Sequence, residues 1–196
     1  KKKYINGIYI PIKITNNCKD VITSIKKLGI SGCSVSMPHK SKIIKYLKYV
    51  DNDARKINSI NTIVNKNGNL FGYNTDIYSV NKIISNLKIE KKTKILIVGS
   101  GSMSKTFYNV LNKNKKYNIF LTNRKNKKIL NINSKNIINW NKKENFEFDL
   151  LVNATPLGMI KHENFPLTSF NFNSCKTIID VVAIPKKTNL SIYSKK

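Results

Sequence analysis

The stretch "KILIVGSGSMSK", residues 94–105, places a run of apolar residues directly before two glycines. A continuous apolar run that contains β-branched residues is typical of a parallel strand covered on both faces. Helical spacing follows at once, in "SKTFYNVLNKN", residues 104–114. The sequence therefore predicts a buried strand, a tight glycine turn and a helix in direct succession.

The rest of the second half repeats this alternation. Further apolar, β-rich runs are "YNIFLTNR" at 117–124, "FDLLVNATP" at 148–156 and "TIIDVVAIP" at 177–185. Strands that alternate with helices imply right-handed crossovers and a doubly wound parallel sheet. Residues 125–145, rich in Lys and Asn, are predicted to form a helix and a surface connection.

The first half mixes strands and helices in a different pattern. Asn67-Gly68 between two apolar runs indicates a two-residue hairpin turn. The predicted strands are at 7–14 and 32–37. The stretch 18–30 has helical spacing that ends at Gly29, a second helix is predicted at 41–57, and the hairpin is at 60–74.

A helix is predicted over 76–89, with Asp76 as its N-cap, and it is the natural connector between the halves. The fold class is therefore α/β with two domains. An α/β domain over residues 1–76 precedes a domain over 77–196 with a doubly wound parallel sheet.

Composition limits the classes of function. The chain has 36 Lys plus Arg, 10 Asp plus Glu and a net charge of +26. These cations are spread through every segment, whereas nucleic-acid binding more often concentrates charge with interleaved aromatics, so a nucleic-acid partner is not favoured. No apolar stretch approaches the ~20 residues of a membrane span.

The cysteines and histidines indicate a compartment and exclude one kind of site. Cys18, Cys33 and Cys175 are far apart and odd in number, which favours reduced thiols and a cytoplasmic protein. With two histidines and no Cys-x-x-Cys pair, the sequence predicts no metal site.

The glycine turn is a candidate phosphate site. Gly99 and Gly101 stand where backbone amides at a helix start can hold a pyrophosphate, while Ser104 replaces the usual third glycine. A tight βα turn without a ligand explains the same pattern. Arg124 ends the next strand, where a cation suits the 2′-phosphate of NADP and an acidic residue would suit NAD. Lys125 and Lys128 add positive charge, although a solvated loop cation remains the alternative for Arg124.

Six motifs in order resemble those of the shikimate dehydrogenase family. They are "GCSVSMPHK" (32–40), "INTIV" (60–64), "GYNTD" (72–76), "VGSGSMSK" (98–105), "TNRK" (122–125) and "NATPLGM" (153–159). The resemblance implies an N-terminal substrate-binding domain, a C-terminal Rossmann domain and an active site in the cleft between them. The implied reaction is the reversible NADP-dependent reduction of 3-dehydroshikimate to shikimate, a step of chorismate and aromatic amino acid biosynthesis.

The same resemblance assigns roles to residues of this sequence. Lys40 and Asp76 are the expected catalytic pair, and both are expected to contact the substrate. A positioned ammonium fits this chemistry, because hydride addition to a carbonyl builds an alkoxide that must be stabilised and protonated. Ser36 and Asn61 are further expected substrate contacts. The expected cofactor contacts are Gly99, Ser100, Gly101, Ser102, Met103, Asn123, Arg124, Lys128, Asn153, Thr155 and Met159.

The sequence also departs from the family pattern. Ser34, Asn58 and Ala183 stand where the family has Asn, Gly and Tyr. The family's opening Ser-x-Ser-Pro loop and closing Met-Leu-x-x-Gln segment are not in this chain, so both domains are expected to be incomplete. Three functions stay open: a shikimate dehydrogenase, a related quinate or aminoshikimate dehydrogenase, and an inactive homologue that binds nucleotide or nucleic acid. A monomer and a homodimer are equally compatible with the sequence.

Overall fold

Two four-stranded sheets organise the chain. A computed structural model describes residues 6–14, 17–113, 115–126 and 132–195. The strands of the first half form a mixed sheet and those of the second half form an all-parallel sheet. This α/β architecture is the predicted fold class.

The first sheet has the strand order β1-β3-β4-β2. Its strands are β1 (Gly32–Ser34), β2 (Tyr49–Val50), β3 (Thr62–Lys66) and β4 (Asn69–Tyr73). Strands β3 and β4 form the predicted hairpin, and β2 pairs parallel to β4. Asn67 and Gly68 both have positive φ, at 51° and 80°, as the two central residues of a type I′ turn require. The Asn-Gly signal is therefore confirmed.

Two helices cover or border this sheet. Helix α1 (Cys18–Lys27) begins with Asn17, whose side chain accepts from the backbone N–H groups of Lys19 and Asp20, and the chain turns at Gly29 with a φ of 62°. Its buried Ile22 and Ile25 pack into a core with Ile43, Ile60 and other residues of the first half. Helix α2 (Asn52–Lys56) is a single short turn.

Two predictions for the first half are wrong. Residues 6–14 pair with none of the described strands, and Ile8 and Ile12 are exposed, because an alternating pattern forms a strand only where a neighbour satisfies its backbone groups. The predicted helix over 41–57 is broken: a 3₁₀ turn (Ile44–Tyr46), β2 and α2 replace it. Pairing of β2 with β4 and capping of α2 by Asp51 outweigh the helical spacing.

The second sheet has the strand order β6-β5-β7-β8, all parallel. Its strands are β5 (Lys94–Val98), β6 (Asn118–Thr122), β7 (Leu150–Asn153) and β8 (Thr177–Asp180). Helices α3 (Asp76–Asn86) and α4 (Ser102–Asn112) pack together over one face. The other face is covered by aromatic and aliphatic side chains around Phe148 and Phe165. Burial on both faces explains the continuous apolar runs.

The connection after β6 contains less helix than predicted. Within 125–145, residues 127–131 are outside the described part, and the remainder contains 3₁₀ helices at Ser134–Asn136 and Trp140–Asn145. Another 3₁₀ turn at Leu167–Ser169 precedes β8, and the short α5 (Asn189–Tyr193) follows it. Among the described residues, no helix is both long and apolar enough to cross a membrane.

Candidate active site

Lys40, in the turn that follows β1, forms an ion pair with Asp76, the first residue of α3. The Lys40 Nζ atom donates to Asp76 Oδ2 at 2.9 Å, and the two side chains are 20% and 27% exposed. Lys40 is held locally, since its carbonyl accepts from the N–H of Ile60. The pair is thus partly shielded from water but open to a small molecule, which suits proton transfer.

Asp76 is not the N-cap of α3. It is the first helical residue, and Thr75 occupies the cap position without a side-chain hydrogen bond to the helix. The N-cap prediction is therefore wrong, because the Asp76 carboxylate is turned toward Lys40 instead of its own backbone. The backbone N–H of Asp76 donates to Asn74 Oδ1 at 3.0 Å, which fixes the start of the helix.

A chain of hydrogen bonds joins Asp76 to the glycine turn. Beyond Asn74 Oδ1, the Asn74 Nδ2 atom donates to the Ser59 carbonyl at 2.9 Å. The Ser59 hydroxyl donates in turn to Ser102 Oγ, also at 2.9 Å. Asn74 and Ser59 are both buried. Three hydrogen bonds therefore connect the acid of the ion pair to the first residue of α4.

Asn61 lies at the same edge of the hairpin as this chain of hydrogen bonds. Its Oδ1 accepts from the Thr75 N–H at 2.9 Å and from the Thr62 hydroxyl at 2.9 Å, and its Nδ2 donates to the Thr75 hydroxyl at 3.0 Å. Asn61 thereby ties β3 to the start of α3. Ser36 is exposed, and among the described residues its hydroxyl makes only a long 3.5 Å contact, with the Met37 carbonyl.

The two glycines of the glycine turn differ in the space around them: a side chain would clash at Gly99 but not at Gly101. Gly99 has a φ of 124°, and a Cβ there would lie 2.7 Å from Ser104 Oγ and 2.8 Å from the Ala154 carbonyl oxygen. A Cβ on Gly101 would meet none of the described atoms within 4 Å. Gly101 caps α4 without a side-chain hydrogen bond. The first N–H groups of α4 therefore face open space and keep their capacity to bind an anion.

The replaced third glycine is accommodated beneath the turn. Ser104 is fully buried, and its hydroxyl has no partner among the described atoms. Ser100 and Met103 flank the turn, and Met103 packs partly against the core of α3 and α4. The serine therefore fills the helix–strand contact and leaves the space above Gly101 free.

The predicted phosphate-binding residues after β6 are partly described. The Arg124 Nη1 atom donates to Glu163 Oε2 at 2.9 Å, with both side chains largely exposed. Asn123 is buried beside it. Lys128 lies outside the described residues.

Two predicted nicotinamide-side residues bind the protein itself. The buried Asn153 side chain donates to the Leu157 carbonyl at 3.1 Å and to Asp180 Oδ1 at 3.0 Å. Its Oδ1 accepts from the Thr155 hydroxyl at 2.6 Å. Both side chains thus hold the loop that follows β7, whereas Met159 is 37% exposed at the far end of that loop.

Sequence reasoning missed several residues of this arrangement. Asp180 lies opposite Asn153 in the register of β7 and β8 and also accepts from the Thr188 hydroxyl at 2.6 Å. A polar residue at the carboxyl end of an apolar run was the available signal, because such ends meet at one edge of a parallel sheet. Asn74 stands within the quoted "GYNTD" motif. Ser59, Glu163 and Thr188 carry no such signal in the sequence.

Comparison with known proteins agrees with this geometry. The family model for the shikimate dehydrogenase substrate binding domain matches residues 1–63. An NADP(+) shikimate dehydrogenase of Methanosphaera stadtmanae is 36% identical, over 96% of this chain and 72% of that protein. The chain belongs to the shikimate dehydrogenase family.

Solved shikimate dehydrogenases share its fold. The crystal structure of the shikimate dehydrogenase of Aquifex aeolicus is 30% identical, with a TM-score of 0.74 over 90% of this chain and 67% of that one. A shikimate dehydrogenase solved in complex with NADP+ is 27% identical, with a TM-score of 0.72 over 93% of this chain and 68% of that one. The two-domain Rossmann-type fold of the shikimate dehydrogenases is therefore the fold of this chain.

The structure gives a physical meaning to one departure from the family pattern. Asn58 has a φ of 50°, a left-handed conformation that glycine adopts without strain and asparagine tolerates better than most residues. Asn at a family glycine position therefore preserves the turn that leads into Ser59 and the "INTIV" motif. Ser34 and Ala183 are both exposed, and nothing in the structure explains these two replacements.

Proposed function

We propose that this chain is an NADP-dependent shikimate dehydrogenase that reversibly reduces 3-dehydroshikimate to shikimate. The observation that carries the proposal is the Lys40–Asp76 ion pair and the three hydrogen bonds that link it to Ser102 at the glycine turn. A proton donor and a candidate diphosphate site are thereby held in one fixed relation. This arrangement is what a reaction that couples hydride and proton transfer requires.

The residues around the glycine turn fit NADP. The open space above Gly101 admits a diphosphate, and a Cβ at Gly99 would collide with the Ala154 carbonyl and Ser104. The uncapped start of α4 offers N–H groups and the positive end of a helix dipole. Arg124 would hold the 2′-phosphate with Asn123 beside it, and Met159 would lie near the nicotinamide. Lys128 stays a proposed phosphate contact on the family resemblance alone. When bound, the reduced cofactor NADPH would supply the hydride for reduction, and NADP+ would accept it in the reverse reaction.

Lys40 would do the proton chemistry. During reduction its ammonium lies at the carbonyl oxygen of the substrate, stabilises the negative charge that develops there and donates a proton to it. During oxidation the neutral amine takes that proton back from the hydroxyl. Asp76 keeps Lys40 in place through the 2.9 Å contact and accepts a hydrogen bond from a substrate hydroxyl.

Asn61 and Ser36 would bind the ring hydroxyls of the substrate. The Ser36 hydroxyl is exposed and makes one weak contact within the described part of the chain, so it keeps its capacity for a ligand. Asn61 is already bonded to Thr75, so its contact with the substrate uses the remaining hydrogen-bonding capacity of the amide. Asn153 and Thr155 are proposed to support the cofactor loop through their internal bonds.

The domain boundary is proposed at residues 76 and 77. Residues 1–76 would form the substrate-binding domain and 77–196 the cofactor domain. In support, Ile77 and Val80 of α3 pack with the second sheet and α4, whereas the hairpin residues pack with the first half. The three free thiols support the proposal of a cytoplasmic location, where thiols stay reduced.

The test is a direct assay of the purified chain. With shikimate and NADP, we expect NADPH absorbance to rise, and with quinate in place of shikimate we expect a smaller rise. Lys40→Ala should lower the rate by about 10²–10⁴-fold, the usual share of a general acid–base group. Lys42→Ala is the matched control, because Lys42 is an exposed lysine two residues away. A rate that is absent, or equal in wild type and Lys40→Ala, contradicts the proposal.

A further inference from the structure

Glu163 forms an ion pair with Arg124, the residue that is proposed to bind the 2′-phosphate of NADP. Arg124 follows β6, and its Nη1 atom lies 2.9 Å from Oε2 of Glu163, which is 39 positions later in the chain. The side chains are 60% and 78% exposed. An exposed pair of this kind contributes about 0–1 kcal/mol to folding. It is therefore easily exchanged for a stronger partner of the guanidinium.

Glu163 closes a compact turn in the loop that follows β7. The N–H of Gly158 donates to the Glu163 carbonyl at 2.7 Å, and the N–H of His162 donates to the Met159 carbonyl at 3.0 Å. The turn begins at Gly158, whose φ is 94°. The Arg124–Glu163 pair thus connects the loop after β6 to the loop that carries Met159.

A 2′-phosphate and the Glu163 carboxylate would use the same donors. The guanidinium binds phosphate through two parallel hydrogen bonds, and a phosphate dianion is the stronger acceptor. Its arrival must displace the carboxylate or place it next to a dianion, and each costs binding energy. A ribose 2′-hydroxyl, in contrast, donates to a carboxylate, which is how acidic residues hold NAD.

We propose that Glu163 is a cofactor-selectivity residue. Its carboxylate competes with the 2′-phosphate for Arg124 and so reduces the ratio of NADP affinity to NAD affinity. This inference rests on the proposed role of Arg124 in NADP binding. Glu163 acts through its charge, not through its side-chain volume. An uncharged residue of the same shape at this position should therefore increase selectivity for the phosphorylated nucleotide.

Equilibrium binding tests the inference without relying on turnover. The dissociation constants of NADP, NAD, 2′,5′-ADP and 5′-AMP are measured for wild type and Glu163→Gln at constant ionic strength. We expect Glu163→Gln to bind NADP and 2′,5′-ADP about three- to tenfold more tightly, because one negative charge near the phosphate is removed. NAD and 5′-AMP affinity should stay unchanged or fall.

Glu90→Gln is the matched control, because Glu90 is an exposed acid outside this site whose neutralisation changes the net charge equally. Its affinities should equal those of wild type. If Glu163→Gln tightens all four nucleotides alike, or tightens none, the inference is wrong.

Arg124→Gln separates this inference from the proposed function. If Arg124→Gln weakens NADP binding while Glu163→Gln changes nothing, Glu163 has no role in selectivity and the proposed function stands. If the wild type binds no NADP, or if Arg124→Gln binds NADP as tightly as the wild type does, Arg124 does not bind the 2′-phosphate. The proposed role of Glu163 is then wrong as well.

Discussion

At the scale of single residues, position distinguishes Lys40 from the many other lysines of the chain. It follows the short strand β1, its carbonyl is bound by Ile60, and its ammonium faces Asp76. Asp76 in turn begins α3 and is held through Asn74. The pair is thus fixed from two elements, which limits the conformations that a reacting group must search.

The pairing of Asp76 makes a first prediction. Asp76→Asn should lower kcat by about 10–10²-fold, because the amide holds Lys40 less firmly and no longer accepts strongly from a substrate hydroxyl. NADP affinity should be unchanged. Steady-state kinetics and nucleotide binding measure the two effects separately.

The control must separate this pairing from the general benefit of an acid at a helix N-terminus. Asp20 is an exposed acid in the first turn of α1. Asp20→Asn should lower the unfolding free energy by about 0.3–1 kcal/mol and leave the activity unchanged. Equal kinetic losses in both variants would contradict a specific role for Asp76.

At the scale of elements, the two glycines of the glycine turn are expected to have different roles. Gly99 is needed for stability and Gly101 for cofactor binding. Gly99→Ala should destabilise the fold, because the backbone has a φ of 124° and the new Cβ meets Ser104 and the Ala154 carbonyl. Gly101→Ala should fold normally, since that Cβ meets no atom of the described residues within 4 Å. It should still weaken NADP binding, because the methyl group enters the proposed diphosphate space.

Thermal unfolding and NADP titration measure these outcomes. We expect Gly99→Ala to lose about 1–3 kcal/mol of unfolding free energy. Gly101→Ala should retain the wild-type melting temperature and lose affinity. Normal NADP affinity in folded Gly101→Ala would place the diphosphate elsewhere.

A buried lysine stabilises the irregular connection before β7. Lys143, in the 3₁₀ helix Trp140–Asn145, donates to the Trp140 carbonyl at 3.0 Å and lies 4.3 Å from the centre of the Trp140 ring. Burial lowers the pKa of the Lys143 ammonium, and the nearby Glu144 offsets part of this effect. The cation and the methylene stem together cover the aromatic cluster around Phe170.

Truncation of this side chain gives the third prediction. Lys143→Ala should lower the unfolding free energy by about 1–2 kcal/mol, because both the packed stem and the cation–π contact are lost. Lys143→Met, which keeps the stem, should lose less. Unfolding is followed by the fluorescence of Trp140, the single tryptophan. Lys142→Ala, at the exposed neighbouring lysine, is the control and should leave the unfolding free energy unchanged. Equal losses for the Ala and Met variants would assign the whole effect to the charge.

The elements also show where sequence reasoning succeeds and where it stops. The parallel strands and the Asn67-Gly68 hairpin could be predicted because burial on two faces and positive φ leave strong local signals. The helix predicted over 41–57 could not be corrected from sequence, since the two residues of β2 follow from pairing with β4. Likewise, the Ser59–Ser102 hydrogen bond joins residues 43 positions apart, and no local pattern indicates it.

At the scale of the whole molecule, the net charge of +26 opposes compaction. Self-repulsion of this size destabilises the folded state and is screened by salt. We therefore expect the melting temperature to rise between low and moderate NaCl, by about 2–4 °C for each 1 kcal/mol gained. A melting temperature that falls with NaCl would mean that the described ion pairs outweigh the repulsion.

One ion pair ties the two halves together. Lys113 Nζ, just after α4, lies 2.6 Å from Asp53 Oδ2 in α2, and the side chains are partly exposed. The hydrogen bond from Lys113 lowers the pKa of Asp53 below its ordinary value of 3.8. Burial opposes this effect, and the charges of Lys113 and Lys56 add to the lowering. With Ser59–Ser102, this pair fixes how α2 lies against α4.

The lowered pKa of Asp53 fixes the sign of a pH dependence. A depressed acid stabilises the fold above its unfolded pKa and loses that contribution as pH falls through the folded value. Between pH 7 and pH 3, wild type should therefore lose more unfolding free energy than Asp53→Asn, by about 0.2–1 kcal/mol after allowance for solvent screening. Asp51→Asn is not a suitable control, because Asp51 caps α2, whereas Glu90→Gln is, because Glu90 is exposed and lies outside the helices. Chemical denaturation at each pH measures the difference, and identical pH profiles for wild type and Asp53→Asn would show that Lys113 does not hold the two halves together.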